Sequence, residues 1–435
     1  MPDSIPDQAT LRRMQDEWNQ RAREDAHYYV AFGRRQQTGD EFFETGNEMV
    51  VSLAGELKRL PSGNPRARRA LEIGCGPGRL MKPLSRYFGE IHGVDVSDEM
   101  VRLARENLRD VRHAHAHHTP DSTLAAFADE SFDFVYSYAV FQHIPSRDVV
   151  LGYLREARRV LKNGGILRCQ INGLPDTARR YDTWSGVRIP AEEISAFARE
   201  NGLQLLAREG TETQYMWVTC RKRETGWQPA GAVAPTLIRR VTNSNSSEPA
   251  APPTGRFAAI SMQVENLPED AGLNDLGVEV GDRVAVPTFI GPAEFDGMRQ
   301  VNALLPPGVP TGLQSVQLFW LGAPLGEAGR IRILPRPPAV PRVMSVTDGI
   351  NLMSGLRLTT GSVKATLEEA DAPELFRATI GGLPAAIDEI FCCDPRVPRH
   401  EINFHLPSGL AAGRHLLEMS LGGNKFPPVE VEVVS

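Results

Sequence analysis

Between residues 66 and 223 short apolar runs alternate with stretches of helical periodicity. The runs predict strands over 70–74, 91–95, 111–116, 132–138, 165–172, 203–209 and 214–221. Helices are expected over 78–88, 98–108, 147–161 and 191–201. Strand–helix alternation of this length implies a parallel sheet with helices on both faces. The last two strands are separated only by "GTET", so they are expected to form an antiparallel hairpin at the sheet edge. Before residue 66 the pattern is helical, in "LRRMQDEWNQRAREDAHYYVAFGRR" and "EFFETGNEMVVSLAGELKRL".

After residue 223 the pattern changes. Residues 224–255 are rich in Pro, Ser, Gly and Ala and read as a linker. Beyond 256, short alternating stretches broken by Gly and Pro predict β-sandwich architecture. This part also repeats: "QVNALLPPGVPTG" from Gln300 aligns with "EINFHLPSGLAAG" from Glu401, pairing Asn302 with Asn403, Gly308 with Gly409 and Gly312 with Gly413. A repeat this long is a duplicated domain rather than a solenoid unit. The expected organisation is 1–223 as one α/β domain with an N-terminal helical cap, 224–255 as linker, and sandwiches at 256–338 and 339–435.

Composition narrows the function classes. The chain of 435 residues carries a net charge of −6. Its first 223 residues are balanced, with 32 basic and 31 acidic side chains. Neither part has the basic excess that nucleic-acid binding draws on, so no nucleic-acid partner is expected. No run of about 18 apolar residues is present, so neither a spanning helix nor a membrane partner is expected. The polar N-terminal stretch and five scattered cysteines without CxxC spacing point to a reducing, cytoplasmic setting.

The stretch "ALEIGCGPGRL" places Gly74, Gly76 and Gly78 between the first strand and a helix. Such a loop lets a ligand lie against backbone and helix N-terminus. The spacing is GxGxG, not the GxGxxG of dinucleotide sites, and no Gly-Lys-Ser/Thr follows, so a P-loop is excluded. The second strand ends at Asp95, whose carboxylate can accept both ribose hydroxyls of an adenosine.

"LEIGCGPGRL", "GVDVSDEMVRLARENL", "DESFDFVYSYAVFQHIP" and "YLREARRVLKNGGILRCQIN" together resemble, in order, the motifs of class I S-adenosylmethionine-dependent methyltransferases. The resemblance implies a Rossmann-like seven-stranded sheet with a reversed last strand, and S-adenosylmethionine as cofactor. It implies that Gly74, Gly76 and Gly78 pack against the methionine part of the cofactor, with Glu72 fixing the loop. Asp95 would hold the ribose, with Val96 and Met100 beside the adenine. Ser137 and Tyr138 would face the methionine moiety or the acceptor. The family's Gly-Asp after the third strand is replaced by "HAHHTPDSTLAAF", which leaves Asp121 as the nearest acid for the adenine. The C-terminal repeat is similar to immunoglobulin-like modules of bacterial proteins.

Methyl transfer to oxygen calls for a base within hydrogen-bond reach. His143, in "FQHIP", is the candidate, with an ordinary pKa suited to proton abstraction near neutrality. Gln142 is placed to orient the acceptor; Tyr28 and Tyr29 read either as a lid over it or as packing of the helix on the sheet, and Trp18 as packing. His113, His115, His117 and His118 read as a polar strand end rather than a metal site, since no Cys, Asp or Glu joins them at ligand spacing. Two readings stand at this point. One is a methyltransferase for a small molecule or saccharide, with sandwiches that bind a protein or glycan partner; the other is a non-catalytic scaffold on the same fold.

Overall fold

A computed structural model describes residues 8–31, 35–121, 123–176, 181–229, 234–255, 257–294, 296–335, 340–394 and 397–434. The expected sandwich boundary at 338 lies outside the described residues.

The N-terminal part is helical, as the periodicity predicts. Helix α1 spans Gln8–Ala31 and is interrupted at Asp25, whose φ of −167° is not helical. The Asp25 carboxylate accepts the Tyr28 N–H at 3.0 Å, capping the second half as an N-cap residue does. Helix α2, Gly39–Glu56, starts with a capping box: Thr38 Oγ1 accepts the Glu41 N–H and the Glu41 carboxylate accepts the Thr38 N–H.

The sheet then forms from β1 (Arg69–Ile73), β2 (Glu90–Asp95), β3 (Ala114–His118), β4 (Phe132–Ser137), β5 (Leu161–Ile171), β6 (Leu203–Glu209) and β7 (Met216–Lys222). Its order is β3–β2–β1–β4–β5–β7–β6. Strands β1 to β5 pair in parallel, and β7 runs antiparallel to both β5 and β6. The expected seven-stranded Rossmann-like sheet with a reversed last strand is therefore present. Helices α3 (Met81–Leu84), α4 (Asp98–Asn107), α5 (Arg147–Val160) and α6 (Ala191–Glu200) connect the strands. One apolar layer joins α2, α3 and α4 to the sheet through Val50, Leu53, Met81, Leu84, Val101 and Ala104. The other joins α5 and α6 through Val150, Leu154, Ile194 and Phe197.

Two local expectations shift. The helix expected over 78–88 is only one turn, with Pro83 inside it, followed by a 3-10 turn. The third strand begins at Ala114 rather than 111, because Val111 and Ala114 donate to Leu108 and Val111 in turns that close α4.

The segment expected to be a linker is partly strand. Its residues 237–243 form β8 (Leu237–Asn243), and β9 (Ala250–Ala251) follows. Strands β10 (Ala259–Glu265), β11 (Leu276–Val280), β12 (Arg283–Ile290), β13 (Arg299–Leu304), β14 (Gly312–Trp320) and β15 (Ala323–Ile333) complete the module. Pairing runs β8–β10–β13–β12–β11–β14–β15 and returns to β8 at Glu327 and Leu237, so seven strands close a ring. Closure removes the sheet edges an open sandwich would leave. The Pro- and Ser-rich flanks hid β8, which supplies the strand between β10 and β15.

This ring is not loosely tethered. Phe289 of β12 pairs with Ala207 of β6, and the Leu273 N–H donates to the Leu205 carbonyl at 2.7 Å. Gln204 Nε2 donates to the Glu269 and Ala271 carbonyls, and Arg59 Nη1 donates to the Ile290 carbonyl at 2.6 Å. Phe197, Leu205, Leu273 and Leu276 belong to one buried cluster. The ring and the α/β domain thus form one compact unit.

The second unit is built from the strands after residue 340. One sheet has the order β16–β18–β22–β21, from β16 (Arg342–Asp348), β18 (Ser362–Glu368), β21 (Ala386–Asp394) and β22 (Arg399–His405). The other has the order β17–β25–β23–β19–β20, with β24 beside β23. Its strands are β17 (Arg357–Leu358), β19 (Phe376–Ile380), β20 (Leu383–Pro384), β23 (Gly413–Leu421), β24 (Asn424–Lys425) and β25 (Val429–Val433). Val363, Ile402, Phe404, Phe376 and Leu417 fill the core between them. The sequence repeat is also a backbone repeat: φ is 82° at Gly308 and 84° at Gly409, and positive again at Gly312 and Gly413.

A chain ending at Arg223 loses β12 from the edge of β6 and exposes Phe197 and Leu205. It is expected to aggregate, whereas one ending at Pro335 stays folded and monomeric. Size-exclusion chromatography and thermal melting check this; a soluble 1–223 fragment with an unshifted melting transition refutes it.

Candidate active site

The C-terminal tips of β1 and β2 build the first half of the site. Gly74, Gly76 and Gly78 all have positive φ, at 74°, 50° and 83°, which side chains rarely adopt. A Cβ at Gly74 would also fall 2.3 Å from Val140 Cγ2, in the loop after β4. The Gly74 and Cys75 N–H groups donate to the Val94 carbonyl at 2.8 and 3.0 Å. Asp95 is the hinge of this arrangement. Its Oδ2 accepts the Gly76 N–H and its Oδ1 the Ser97 N–H, each at 2.9 Å. Ser97 in turn caps α4 through the Met100 N–H. Each Asp95 oxygen keeps a second lone pair, the number two ribose hydroxyls require. Burial raises the Asp95 pKa, against the backbone donors that lower it.

Glu72 acts one layer below. It is buried and accepts the Tyr136 hydroxyl at 2.8 Å. Burial pushes its pKa to about 8, so it carries a proton at neutral pH.

Helix α1 covers this half. Asn19 Nδ2 donates to Asp98 at 2.6 Å, and its Oδ1 accepts the Ser97 hydroxyl at 2.6 Å and the Glu99 N–H at 3.3 Å. Met100 is buried against Ala22 and Ala26, with Trp18 and Val30 beside it. Val96 is half-buried and its carbonyl lies 3.1 Å from His118 Nε2.

The second half lies beyond β4. His143 is buried, and its Nδ1 lies 2.9 Å from the Trp184 carbonyl. The Trp18 ring meets it edge-on at 5.7 Å, and the Trp184 ring lies at 5.8 Å. Gln142 Nε2 is 3.5 Å from His143 Nε2, and Gln142 Oε1 is buried without a partner. Burial, with the Arg21 charge adding to it, pulls the His143 pKa down to about 4.

Residues 71–169 match the family model described as "Methyltransferase domain". A ubiquinone biosynthesis O-methyltransferase of Roseobacter denitrificans is 33% identical over 129 residues, 28% of this chain and 48% of that protein. One of Ruegeria sp. is 30% identical over 186 residues, 37% of this chain and 71% of that protein. The chain belongs to the S-adenosylmethionine-dependent methyltransferases. It spans about half the length of the first of these relatives. A solved magnesium protoporphyrin IX methyltransferase of Synechocystis with bound S-adenosylmethionine is 15% identical, with a TM-score of 0.36 over 49% of this chain and 97% of that one.

The residues present fit the cofactor: three glycines in left-handed conformations turn the 74–78 backbone across the tip of β1, and the Asp95 carboxylate, with lone pairs to spare, stands at the tip of β2 beside it. The methyltransferase does not gather every expected residue there. Asp121 is exposed and caps its own loop through Thr123. Ser137 turns inward and donates to the Ile73 carbonyl at 2.9 Å. Tyr138 stacks on Trp217 at 5.5 Å, and the Arg79 guanidinium carbon lies 5.4 Å from the centre of its ring. Tyr28 is buried, while Tyr29 reaches the Trp184 ring at 6.2 Å. Trp18, expected only to pack, borders His143. Asn19 and Trp184 escaped the sequence reading, because nothing local marks a helix asparagine or a loop tryptophan as part of a distant site. Among the described residues no cluster of His, Cys, Asp and Glu is arranged to hold a metal; His92 Nδ1 and His117 Nε2 instead lie 3.1 Å apart.

Asp95→Ala removes the acceptor for the ribose and the tether of the Gly76 N–H. Hydrogen bonds to a charged group contribute about 1.5–3 kcal/mol, so cofactor affinity is expected to fall roughly 10- to 100-fold by calorimetry. An unchanged dissociation constant refutes the assignment.

Proposed function

We propose that this methyltransferase methylates a hydroxyl oxygen of a small molecule, with His143 as the base and Gln142 orienting the hydroxyl. The observation that carries the reading is the Trp184 carbonyl on His143 Nδ1. It places the ring proton on Nδ1 and makes Nε2 the acceptor, towards which the Gln142 amide N–H points at 3.5 Å and which an acceptor hydroxyl would take over from it. The unpartnered Gln142 Oε1 is a second acceptor beside it. When bound, S-adenosylmethionine supplies a methyl on a sulfonium sulfur; the oxygen–carbon bond forms as the carbon–sulfur bond breaks and the sulfur keeps the electron pair. The hydroxyl proton passes to His143 Nε2. The chain's remaining work is alignment and exclusion of water, which α1 and the 181–186 loop perform over the site. The names of the relatives, O-methyltransferases, support oxygen as the acceptor atom. Glycine-loop and base sites both intact favour catalysis over the scaffold reading.

The strand order of the second unit supports an immunoglobulin-like module, offered to a protein or glycan partner. Cysteines scattered without CxxC spacing, Cys75, Cys169 and Cys220 among them buried as thiols, support a reducing, cytoplasmic setting.

His143→Ala is expected to lower kcat by about 10²–10⁴-fold with cofactor affinity unchanged. The base stays neutral down to a pH near 4, so the acidic limb of the rate profile is expected there and not near 6.5. The same shift acts on stability: the folded value lies below the unfolded one, so the contribution is complete above about 6.5 and is lost as pH falls towards 4. Full turnover by the variant on a good acceptor refutes the role.

A further inference from the structure

The edge of the sheet carries a chain of nitrogen contacts that methyl transfer does not use. Strand β3 is last in the order and, among the described residues, pairs only with β2. His92 stands on β2, buried, with the Phe127 and Phe132 rings edge-on to it. Arg69 Nη2, from β1, lies 3.2 Å from His92 Nε2, and His92 Nδ1 lies 3.1 Å from Nε2 of His117 on β3. A guanidinium only donates, so His92 Nε2 accepts, its proton sits on Nδ1, and Nδ1 donates to His117. The two ring planes differ by 15°, which lets that N–H lie along the His117 lone pair. Both rings are then neutral. A proton added at His92 Nε2 faces the Arg69 N–H, and one added at His117 Nε2 faces the His92 N–H, so either breaks a link of the chain. The charged and titratable groups facing the pair are Arg69 from β1, Glu90 from β2, His115 from β3 and Arg105 from α4. Glu90 alone favours protonation of His92; it lies 3.4 Å from Nε2, and the same oxygen accepts Arg69 Nε at 2.7 Å.

The strand held by this chain also supports the cofactor end of the site. Its register sets His118 beside Asp95, the Thr119 N–H donates to the Asp95 carbonyl at 2.9 Å, and His118 Nε2 lies 3.1 Å from the Val96 carbonyl. We propose that Arg69, His92 and His117 form an acid-released latch: it holds the edge strand β3, and through it the Asp95 tip of β2, and lets both go as the two imidazoles take up protons. The coupling to the cofactor rests on Asp95 being the ribose acceptor. Departure of β3 breaks the chain and opens both rings to water, where they protonate freely. The direction follows from the burial of the pair. Burial, with Arg69 and the neighbouring imidazoles adding to it, holds His92 at about 4, and burial, His115 and Arg105 lower His117. The folded values lie below the ordinary 6.5, so the hold is complete above about 6.5 and is lost as pH falls towards 4. His92 alone then favours the open edge by about 30-fold more near pH 5 than near pH 7.5.

The test uses the full chain and three readouts. Ring ¹⁵N shifts near neutral pH are expected to show His92 protonated at Nδ1 and bare at Nε2. Amide hydrogen exchange, corrected for its intrinsic pH dependence, is expected to show β3 losing about 30-fold more protection than β1 between about pH 7.5 and about pH 5. His92→Leu removes the titrating ring and keeps an apolar side chain beside Phe127 and Phe132, and is expected to abolish that difference. His117→Gln leaves an amide oxygen for the His92 N–H and takes up no proton, and is expected to shrink the difference, which keeps the test open if the leucine variant does not fold. Calorimetry with S-adenosylhomocysteine is expected to show wild-type affinity falling over the same range about tenfold more than that of His92→Leu; titration of Asp95 itself is common to both and cancels. The opposite His92 tautomer, equal loss of protection by β1 and β3, an undiminished difference in the variants, or equal loss of affinity overturns the proposal. Failure of the Asp95 reading shows separately, as an unchanged dissociation constant in Asp95→Ala.

Discussion

Everything at the cofactor end depends on the two backbone bonds accepted by the Asp95 carboxylate. One oxygen takes the Gly76 N–H and the other the Ser97 N–H. A single side chain thus joins the loop after β1 to the start of α4. The loop can follow only because Gly74, Gly76 and Gly78 take positive φ. Burial raises the Asp95 pKa, yet the donors around it are what an ionised carboxylate requires. The site stores an acceptor in a dry environment, and a ligand bearing hydroxyls at that spacing completes its hydrogen bonding.

Helix α1 links this end to the acceptor end. Asn19 engages Ser97, Asp98 and Glu99, while Glu17 and Arg21, less than a turn away, engage Thr183. Residues close together on one helix therefore reach both the adenosine side and the His143 side. The break at Asp25 ends the straight run of α1 just past these contacts, and Tyr28 and Tyr29 follow in a newly capped segment.

Much of this was legible in the sequence. The glycine spacing, the acid at the tip of the second strand and the strand–helix alternation specify the sheet order, because each is a local demand of backbone geometry. His143 was singled out because it stands in the turn that comes after β4. Its chemistry was not: an ordinary histidine titrates near neutrality, whereas Trp18, Trp184 and Arg21, from a helix and a loop distant in sequence, bury it and hold it neutral. Asp121 misled because an acid after the third strand satisfied the expected position but spends its carboxylate on Thr123. Strand β8 was hidden by its flanks, since proline and serine mark the segment as a linker while Leu237–Asn243 pair along β10.

The same strand changes what the β modules mean. A linker would let the first module swing freely, and its attachment would carry no information about catalysis. Instead the ring closes through β8, and β12 extends the catalytic sheet at β6. Arg59, at the end of α2, reaches the Ile290 carbonyl and lies over Phe289, so the helix that packs on the face of the sheet also holds the ring. Arg299 is buried beside Arg59 and Arg221, and its pKa falls to about 10; carbonyls of Gly291, Pro268 and Glu269 take its donors. Arg59, Arg221 and Arg299 each donate to backbone carbonyls at this junction, and Arg59 also pairs with the buried Glu56 at 2.6 Å, so removing Glu56 would leave buried charge uncompensated. The first β module is therefore a structural part of the α/β domain, covering apolar surface around Phe197 and Leu205. The module after residue 340, by contrast, has a core of its own: among the described residues its buried cluster draws on no residue before Val346.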